Sequence, residues 1–507
     1  MRSGWSMAVG VLGFFLASAL PAAADAVPTA AIDSLVKEAL QSWEVPGAAV
    51  AIVRDDQVIY LKGHGVKELG KDVPVTPDTV FPIGSCTKAF TTAAMALLVD
   101  DGKMHWDDPV RKHLPFFRLA DPLADASVTL RDLVTHRTGV ASHDLLWYRA
   151  PWSAEERVRR VGLLPLDRPF RTTFQYQSVM FTAAGLAVGN AAQSSWADFV
   201  QKRLLKPLGM TGASLTTTAA EKAPDRASPH RRVKPGQIDV IRWYPMEEPD
   251  PAGSLNASAA DLAKWLRFQL GDGTFDGKRL VSAEGLGETH TPQIVQRLEG
   301  ATRAYHPETN QMSYGMGWVI QDYRGRLLVS HAGAIDGFRA HITLVPKAKL
   351  GIVLLNNLDQ TRMNLALSNS LVDLLLGLPG KDWNRIIQEA VKQEAEAAAA
   401  QQREREAKRH HGTKPSHELA AYAGAYEHPA YGTARVSVKN GGLVLEWGSF
   451  TCPLEHFHYD TFTALNPVLG NAPVVFTLGA DGEVATMKVL GPMNAQFTRG
   501  KRPAAKR

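Results

Sequence analysis

Three short stretches hold the residue types that acyl-transfer chemistry needs. Ser85 and Lys88 stand three apart in Phe81-Pro82-Ile83-Gly84-Ser85-Cys86-Thr87-Lys88, just ahead of the apolar run 89–99. That spacing puts a hydroxyl and an ammonium on one helix face. If the helix begins at Ser85, the hydroxyl also lies at the positive end of its macrodipole. A serine hydroxyl becomes a nucleophile once a neighbouring base takes its proton, and a lysine serves as that base when burial depresses its pKa. Ser-x-x-Lys alone arises by chance in a chain of this length, so its flanks carry the information. Ala89, Phe90, Ala93, Ala94, Leu97 and Leu98 cover much of the helix circumference, which implies burial, and a lysine on a buried helix requires a reason. The second stretch is Phe174-Gln175-Tyr176-Gln177-Ser178-Val179-Met180-Phe181, before a helix over 182–192. The third is Val329-Ser330-His331-Ala332-Gly333-Ala334, at the end of a strand.

These stretches need a scaffold to bring them together. The apolar spacing over 29–43 predicts a helix, stopped by Pro46-Gly47. Residues 48–53 and 58–61 read as a hairpin about Arg54-Asp55-Asp56-Gln57. Residues 327–330, 338–345 and 351–355 give three more strands, so an antiparallel five-stranded sheet is expected. The intervening 260 or so residues show helical patterning over 89–99, 181–192, 196–205 and 259–270, which predicts an inserted helical lobe. A closing helix follows over 364–376. The fold class is therefore α+β, with a cleft between lobes as the natural place for a small-molecule site. Residues 381–408 shift to Ala, Glu, Gln, Lys and Arg with little apolar periodicity and predict a solvated helical spacer. Beyond Pro415, alternating segments and Gly/Asn/Asp turns predict a small all-β domain ending near Thr498. The domain reading is 1–24 signal peptide, 25–380 catalytic domain, 381–416 linker and 417–507 β-rich domain with a basic tail.

In order and spacing, the three stretches resemble the signatures of the serine β-lactamase and penicillin-binding-protein superfamily: Ser-x-x-Lys, Tyr-x-Asn, and Lys-Thr-Gly or His-x-Gly. Leu133-Val134-Thr135-His136-Arg137-Thr138-Gly139 and Tyr314-Gly315-Met316-Gly317-Trp318 are similar to two further segments of that family. The resemblance spans roughly 32–376 and is closest to the class C β-lactamases, esterases and D-stereospecific peptidases. The C-terminal β region resembles the lipocalin-like domain that some of these peptidases append. What the resemblance implies is an acyl-enzyme on Ser85, with Lys88 accepting or holding its proton and Tyr176 shuttling it. The backbone N–H groups of Ser85 and Ala334 would form the oxyanion hole, and Ser178, His331 and Gly333 would contact substrate. Two positions depart from the pattern. Ser178 replaces the usual asparagine and offers a shorter hydroxyl. His331 replaces a permanent cation with a group that is mostly neutral at pH 7, which argues against potent β-lactam hydrolysis.

The rest of the composition narrows the class. The chain has 507 residues, 45% hydrophobic and 21% charged, the balance of a globular protein with a sizeable core. The net charge of +5 equals the five cations between Arg499 and Arg507, so the body is close to neutral and no nucleic-acid partner is expected. Two cysteines make no disulfide framework, and neither belongs to a CxxC pair. His456 and His458 lack an evident third metal ligand, so no metal or other cofactor is expected. Arg2, an uncharged run over 7–20 and Ala22-Ala23-Ala24 predict a cleavable export signal and a secreted or periplasmic product, with no stable membrane span. The reading is a secreted serine hydrolase cleaving an ester or amide in a small-molecule or peptide substrate, including short peptides with D-residues. Two alternatives stay open: a β-lactamase or D-alanyl-D-alanine carboxypeptidase, and a non-catalytic peptide- or glycan-binding envelope protein. Oligomeric state is left open.

Overall fold

The computed structural model describes Met1 and residues 28–500. Met1 apart, the expected export segment lies outside the described residues, as do the last seven residues of the basic tail. Helix α1 (Thr29–Trp43) buries Ile32, Val36, Ala39 and Trp43, the 3–4 spacing of an amphipathic helix. The chain then reverses between β1 (Gly47–Arg54) and β2 (Gln57–Gly65). Asp55 and Asp56 make the turn at φ 48° and 64°, the left-handed pair that matches the right-handed twist of the flanking strands.

The helical lobe follows. Helix α2 (Thr87–Asp100) is buried at every position from Thr87 to Leu98, as its apolar circumference requires. Helix α3 (Ala154–Val161) packs on α4 (Ser178–Ala192), and α4 packs on α2. Helix α5 (Ala259–Leu270) lies across β1 and stacks Trp265 on Phe90 of α2 with ring centroids 3.7 Å apart.

The sheet resumes with β3 (Ile294–Val295), then α6 (Gly300–Tyr305), β4 (Met312–Tyr314), β5 (Val319–Tyr323), β6 (Arg326–Ile335), β7 (Phe338–Val345) and β8 (Leu350–Asn356). Its order is β2-β1-β8-β7-β6-β5-β4-β3. The five strands expected from the sequence form the contiguous run from β2 to β6. Strands β3, β4 and β5 extend the sheet to eight, and at two to five residues each they are too short for alternation to show. A second correction concerns β6, which runs through His331, Gly333 and Ala334 instead of ending ahead of them. Gly and Ala are poor strand formers, but Ala332, Gly333 and Ala334 pair with His341, Ala340 and Arg339 of β7, so the partner strand selects the conformation. One sheet face buries Ala49, Ala51, Ile342 and Val353 towards the helical lobe. The other buries Val50, Ile52 and Leu354 against α1 and α7 (Met363–Leu375).

Helix α8 (Trp383–Ala407) occupies the expected spacer, yet its first turns are not solvated. Trp383, Ile387 and Ala390 are buried against α7, and Trp383 Nε1 donates to Asp373 Oδ2 at 2.8 Å. At its other end Arg405 donates to Thr463 Oγ1 at 2.8 Å, and Arg409 just beyond donates to the Phe457 carbonyl at 2.8 Å. Strands β9 (Gly424–His428), β10 (Gly432–Lys439), β11 (Gly442–Trp447), β12 (Phe450–His458), β13 (Thr461–Ala464), β14 (Pro473–Leu478), β15 (Val484–Val489) and β16 (Ala495–Arg499) form a closed barrel in sequence order. Pairing of Glu427 with Thr498 closes it, which removes every open edge.

Candidate active site

Ser85 lies in a 3₁₀ turn (Gly84–Cys86) that runs straight into α2, rather than in the α-helix itself. Gly84 takes φ 51°, and a Cβ there would sit 2.7 Å from the Ala334 backbone nitrogen. A Cβ on Gly333 would sit 1.8 Å from the Ile83 carbonyl oxygen. Only glycines allow the turn and β6 to approach this closely, and the approach sets the Ala334 backbone beside that of Ser85. Cys86, fully buried, fastens the same contact by donating its S–H to the His331 carbonyl at 3.3 Å.

Lys88 is wholly buried. Its Nζ donates to Ser85 Oγ at 3.1 Å and to the Ala252 carbonyl at 2.9 Å. It also lies 4.8 Å from the centroid of the Tyr176 ring and 5.4 Å from that of Phe181. Burial lowers its pKa to about 8, with the Asp144 and Asp250 carboxylates working against that shift. The Tyr176 phenol shares a hydrogen bond with Ser85, and burial pushes it well above the ordinary tyrosine range. Near neutral pH the three groups are therefore a hydroxyl, an amine close to its titration point and a protonated phenol, all within reach of one another. Such a set can generate an alkoxide-like nucleophile and return the proton to a leaving group.

His331 closes the opposite wall. Its Nδ1 lies 2.7 Å from the Ala332 carbonyl and its Nε2 lies 3.0 Å from the Tyr314 hydroxyl. The carbonyl can only accept, so Nδ1 carries the proton and Nε2 accepts from Tyr314. Burial lowers the His331 pKa to about 3, and the ring stays neutral. His136 is likewise buried and depressed. Its Nδ1 accepts from the Gln177 backbone N–H at 3.0 Å, which fixes the loop leading into α4, while its ring lies 4.3 Å from that of Tyr176.

Two carboxylates complete the site, and neither stands in a readable motif. Asp250 accepts from Trp147 Nε1 at 2.9 Å and from the Ala252 backbone N–H at 2.8 Å, and pairs with Arg157 at 3.0 Å. It thereby shapes the loop whose Ala252 carbonyl holds Lys88. Asp144 accepts hydrogen bonds from the Ser142 and Ser178 side chains and from the Ser178 backbone N–H, and burial raises its pKa overall. Ser178 is thus met by a carboxylate at the first residue of α4. No residue type or spacing in 142–173 or 216–251 signals either aspartate.

Ser85, Tyr176, His331, Gly333 and Ala334 line a cavity of about 480 Å³, with Arg339 also on its wall. A second cavity of about 700 Å³ shares Phe174, Gln296 and Thr302 with it, so the cleft continues away from Ser85. His456 and His458 stand on strand β12 of the barrel, and among the described residues no group of three His, Cys, Asp or Glu side chains is disposed to hold a metal ion.

The family model described as Beta-lactamase matches residues 32–376. The chain belongs to the beta-lactamase family. It is a serine hydrolase of that superfamily, and residues 408–503 match a second model, Domain of unknown function (DUF3471). Among relatives, "Unguisins hydrolase ungD" of Aspergillus violaceofuscus is 29% identical over 476 residues, covering 87% of this chain and 83% of the relative. "Protein flp" of Staphylococcus aureus is 27% identical and covers 65% of this chain and 63% of its own. The octameric penicillin-binding protein homologue from Pyrococcus abyssi shares the fold, with TM-score 0.61 and 22% identity over 93% of this chain and 98% of that one. No helix among the described residues is long and apolar enough to cross a membrane. Within this beta-lactamase-family frame, the Ser178 and His331 departures have structural sequels: a carboxylate meets Ser178, and His331 is a neutral, internally bonded wall.

Proposed function

We propose that the chain hydrolyses ester or amide bonds of short peptides or related acyl compounds through an acyl-enzyme on Ser85. The observation that carries this reading is the Lys88 amine, wholly buried and 3.1 Å from Ser85 Oγ. Lys88 takes the Ser85 proton as Oγ attacks the carbonyl carbon. Tyr176, protonated, donates through the same hydrogen-bonded set to the departing alkoxide or amine. The backbone N–H groups of Ser85 and Ala334 receive the developing oxyanion, each such donor being worth about 2.7 to 4 kcal/mol in the transition state. Water, deprotonated by the same set, then releases the acyl group.

A peptide-like substrate fits the sheet as well as the chemistry. Strand β5 pairs with β6 only as far as Ser330, so the segment from His331 to Ile335 meets β7 on one side and the cleft on the other. An extended backbone can add to such an edge. The relative named as a hydrolase of unguisins supports hydrolysis without fixing the substrate here. A β-lactam or D-alanyl carboxylate draws less support, because His331 is neutral and its ring nitrogens are engaged with Ala332 and Tyr314.

A fluorophosphonate probe should label the wild type and not Ser85→Ala, and kcat for p-nitrophenyl esters should fall by about 10⁴-fold or more in that variant. Unchanged labelling of Ser85→Ala would overturn the reading. Turnover of p-nitrophenyl esters and D-amino-acid anilides, with nitrocefin left intact, separates it from a β-lactamase.

A further inference from the structure

The barrel meets the helical lobe beside the cleft. Arg160 on α3 donates to the Ala430 carbonyl at 3.1 Å, in the turn between β9 and β10. Trp152 lies against Trp447 with ring centroids 6.2 Å apart. Next to Ala430, Tyr431 is fully buried, and its hydroxyl shares a 2.8 Å hydrogen bond with His143 Nδ1. His143 is held in the left-handed region at φ 45°, a conformation that a non-glycine residue keeps only when its surroundings impose it. Burial and the neighbouring His428 keep its ring neutral, lowering its pKa to about 4.

His143 caps the 3₁₀ turn Asp144–Leu146. From that turn the Asp144 carboxylate reaches Ser178, accepting from both its hydroxyl and its backbone N–H. It does so at the start of α4, where Gln177 supplies no side-chain cap of its own. Its charge acts on Lys88, on Tyr176 and on Tyr431 of the barrel. The serine that stands in for the family's asparagine is therefore supported by an acid whose turn is held from outside the catalytic domain.

We propose that the C-terminal barrel is a positioning element of the active site: Tyr431, through His143, fixes the turn that sets Asp144 against Ser178 and opposite Lys88. The proposal rests on the reading of Lys88 as the base for Ser85. The titratable and charged groups facing Lys88 are Cys86 from its own turn, Asp250 from the loop before α5 and Asp144. Tyr176, His136 and His331 complete the set. Of these, Asp144 directly follows the residue that the barrel holds. A carboxylate favours the lysine cation, so displacing or neutralising Asp144 lowers the pH at which the amine becomes free to act.

The test is kcat/KM against pH for a p-nitrophenyl ester, with full-length wild type, Asp144→Asn, Tyr431→Phe, the double variant, and Tyr459→Phe as an exposed barrel control. Asp144→Asn should move the acidic limb down by about one pH unit. Tyr431→Phe keeps the ring packing and removes one hydrogen bond. It should move the limb the same way by less and reduce kcat/KM about five- to tenfold. The double variant should be no worse than Asp144→Asn alone, and Tyr459→Phe should match wild type. A Tyr431→Phe protein with an unmoved limb, at full or reduced rate, would overturn the proposal, as would losses that multiply in the double variant. Absence of hydrolysis and of Ser85 labelling in the wild type would overturn the catalytic reading, and this proposal with it.

Discussion

The cleft and the barrel each enclose an interior and fill it in opposite ways. Inside the barrel, Tyr426, Phe462, Phe476 and Phe497 are all buried. Phe462 and Phe476 meet edge to face at 5.7 Å and 88°. A void among its apolar side chains measures about 10 Å³, at the lower limit for one water and with no polar lining to bind it. Around the cleft, about 480 Å³ stays open, and the groups buried beside it include Lys88, His136 and His331, with His136 Nε2 lacking a hydrogen-bond partner among the described residues. Burying such groups opposes folding. The contrast separates tasks: the catalytic lobe carries the destabilising polar burial, while the barrel is packed solid. The barrel meets the helical lobe beside the cleft through Ala430, Tyr431 and Trp447.

The contrast breaks most visibly at Lys88. Lys88→Met keeps the apolar stem and removes the amine. The loss of the base should lower kcat by about 10⁴-fold, while stability at pH 7 rises by about 3 kcal/mol. The sign follows from the shift. The folded pKa is about 8 against an ordinary 10.5, so the unfolded chain holds the proton more tightly. That penalty is complete below pH 8 and fades as the pH climbs towards 10.5. Denaturant unfolding at pH 7 and pH 10 reads it directly, and an equal gain at both values would contradict the assignment. In the wild type, kcat/KM should rise with pH through about 8 as the amine becomes neutral. A limb well below 8 would instead show that a group other than the Lys88 amine titrates in catalysis.

The mirror-image variant lies in the barrel. Phe476→Ala opens a cavity in a core that has no slack, and should lower stability by about 3 to 5 kcal/mol. Below its unfolding transition, the surviving folded protein should keep the pH limb of the wild type. A displaced limb would show that the barrel's interior, and not only its Tyr431 contact, sets the electrostatics of the cleft.

What could be read from the sequence follows the same divide. Helix α2 was legible because its apolar residues leave no wet face, and Lys88 stood out against them. The barrel strands were legible because alternation persists, as in Val436 with Val438 and Leu443 with Leu445. Strand β6 was cut short because Ala332-Gly333-Ala334 takes its shape from β7 and from the Ile83 carbonyl, not from its own propensity. Strand β3, Ile294–Val295, is too brief to show a period. The buried start of α8 was missed although Trp383, Ile387 and Ala390 follow helical spacing, because the charged residues after them dominate the composition. Asp144 and Asp250 were beyond reach: each belongs to an irregular loop, where burial and partners come only from the fold.

Tyr176→Phe refines the comparison inside the cleft. The ring stays over Lys88 and against His136, so stability should change little. The lost hydroxyl breaks the hydrogen bond to Ser85 and removes the proton donor for the leaving group, and kcat should fall by about 10²-fold. Because Lys88 remains the titrating base, the acidic limb should stay near pH 8 in that variant. A limb that vanishes with the phenol would move the base assignment from Lys88 to Tyr176.

Cys86 should give the smallest effect, and it tests how dry the floor of the cleft is. A thiol one residue from the nucleophile invites alkylation if water and reagent reach it. Here the side chain is wholly buried, its S–H is committed to the His331 carbonyl, and burial pushes its pKa up to about 12. The thiolate is the reactive form, so iodoacetamide at pH 7.5 should leave the native enzyme active and unmodified. Cys452 is buried as well, and denaturation should expose both thiols to label. Cys86→Ala removes one weak hydrogen bond and a sulfur atom, a loss of about 1 kcal/mol in stability, with kcat little changed. Rapid inactivation of native enzyme by iodoacetamide, prevented by prior acylation of Ser85, would show instead that solvent reaches behind the nucleophile. The burial that depresses Lys88 would then be only partial.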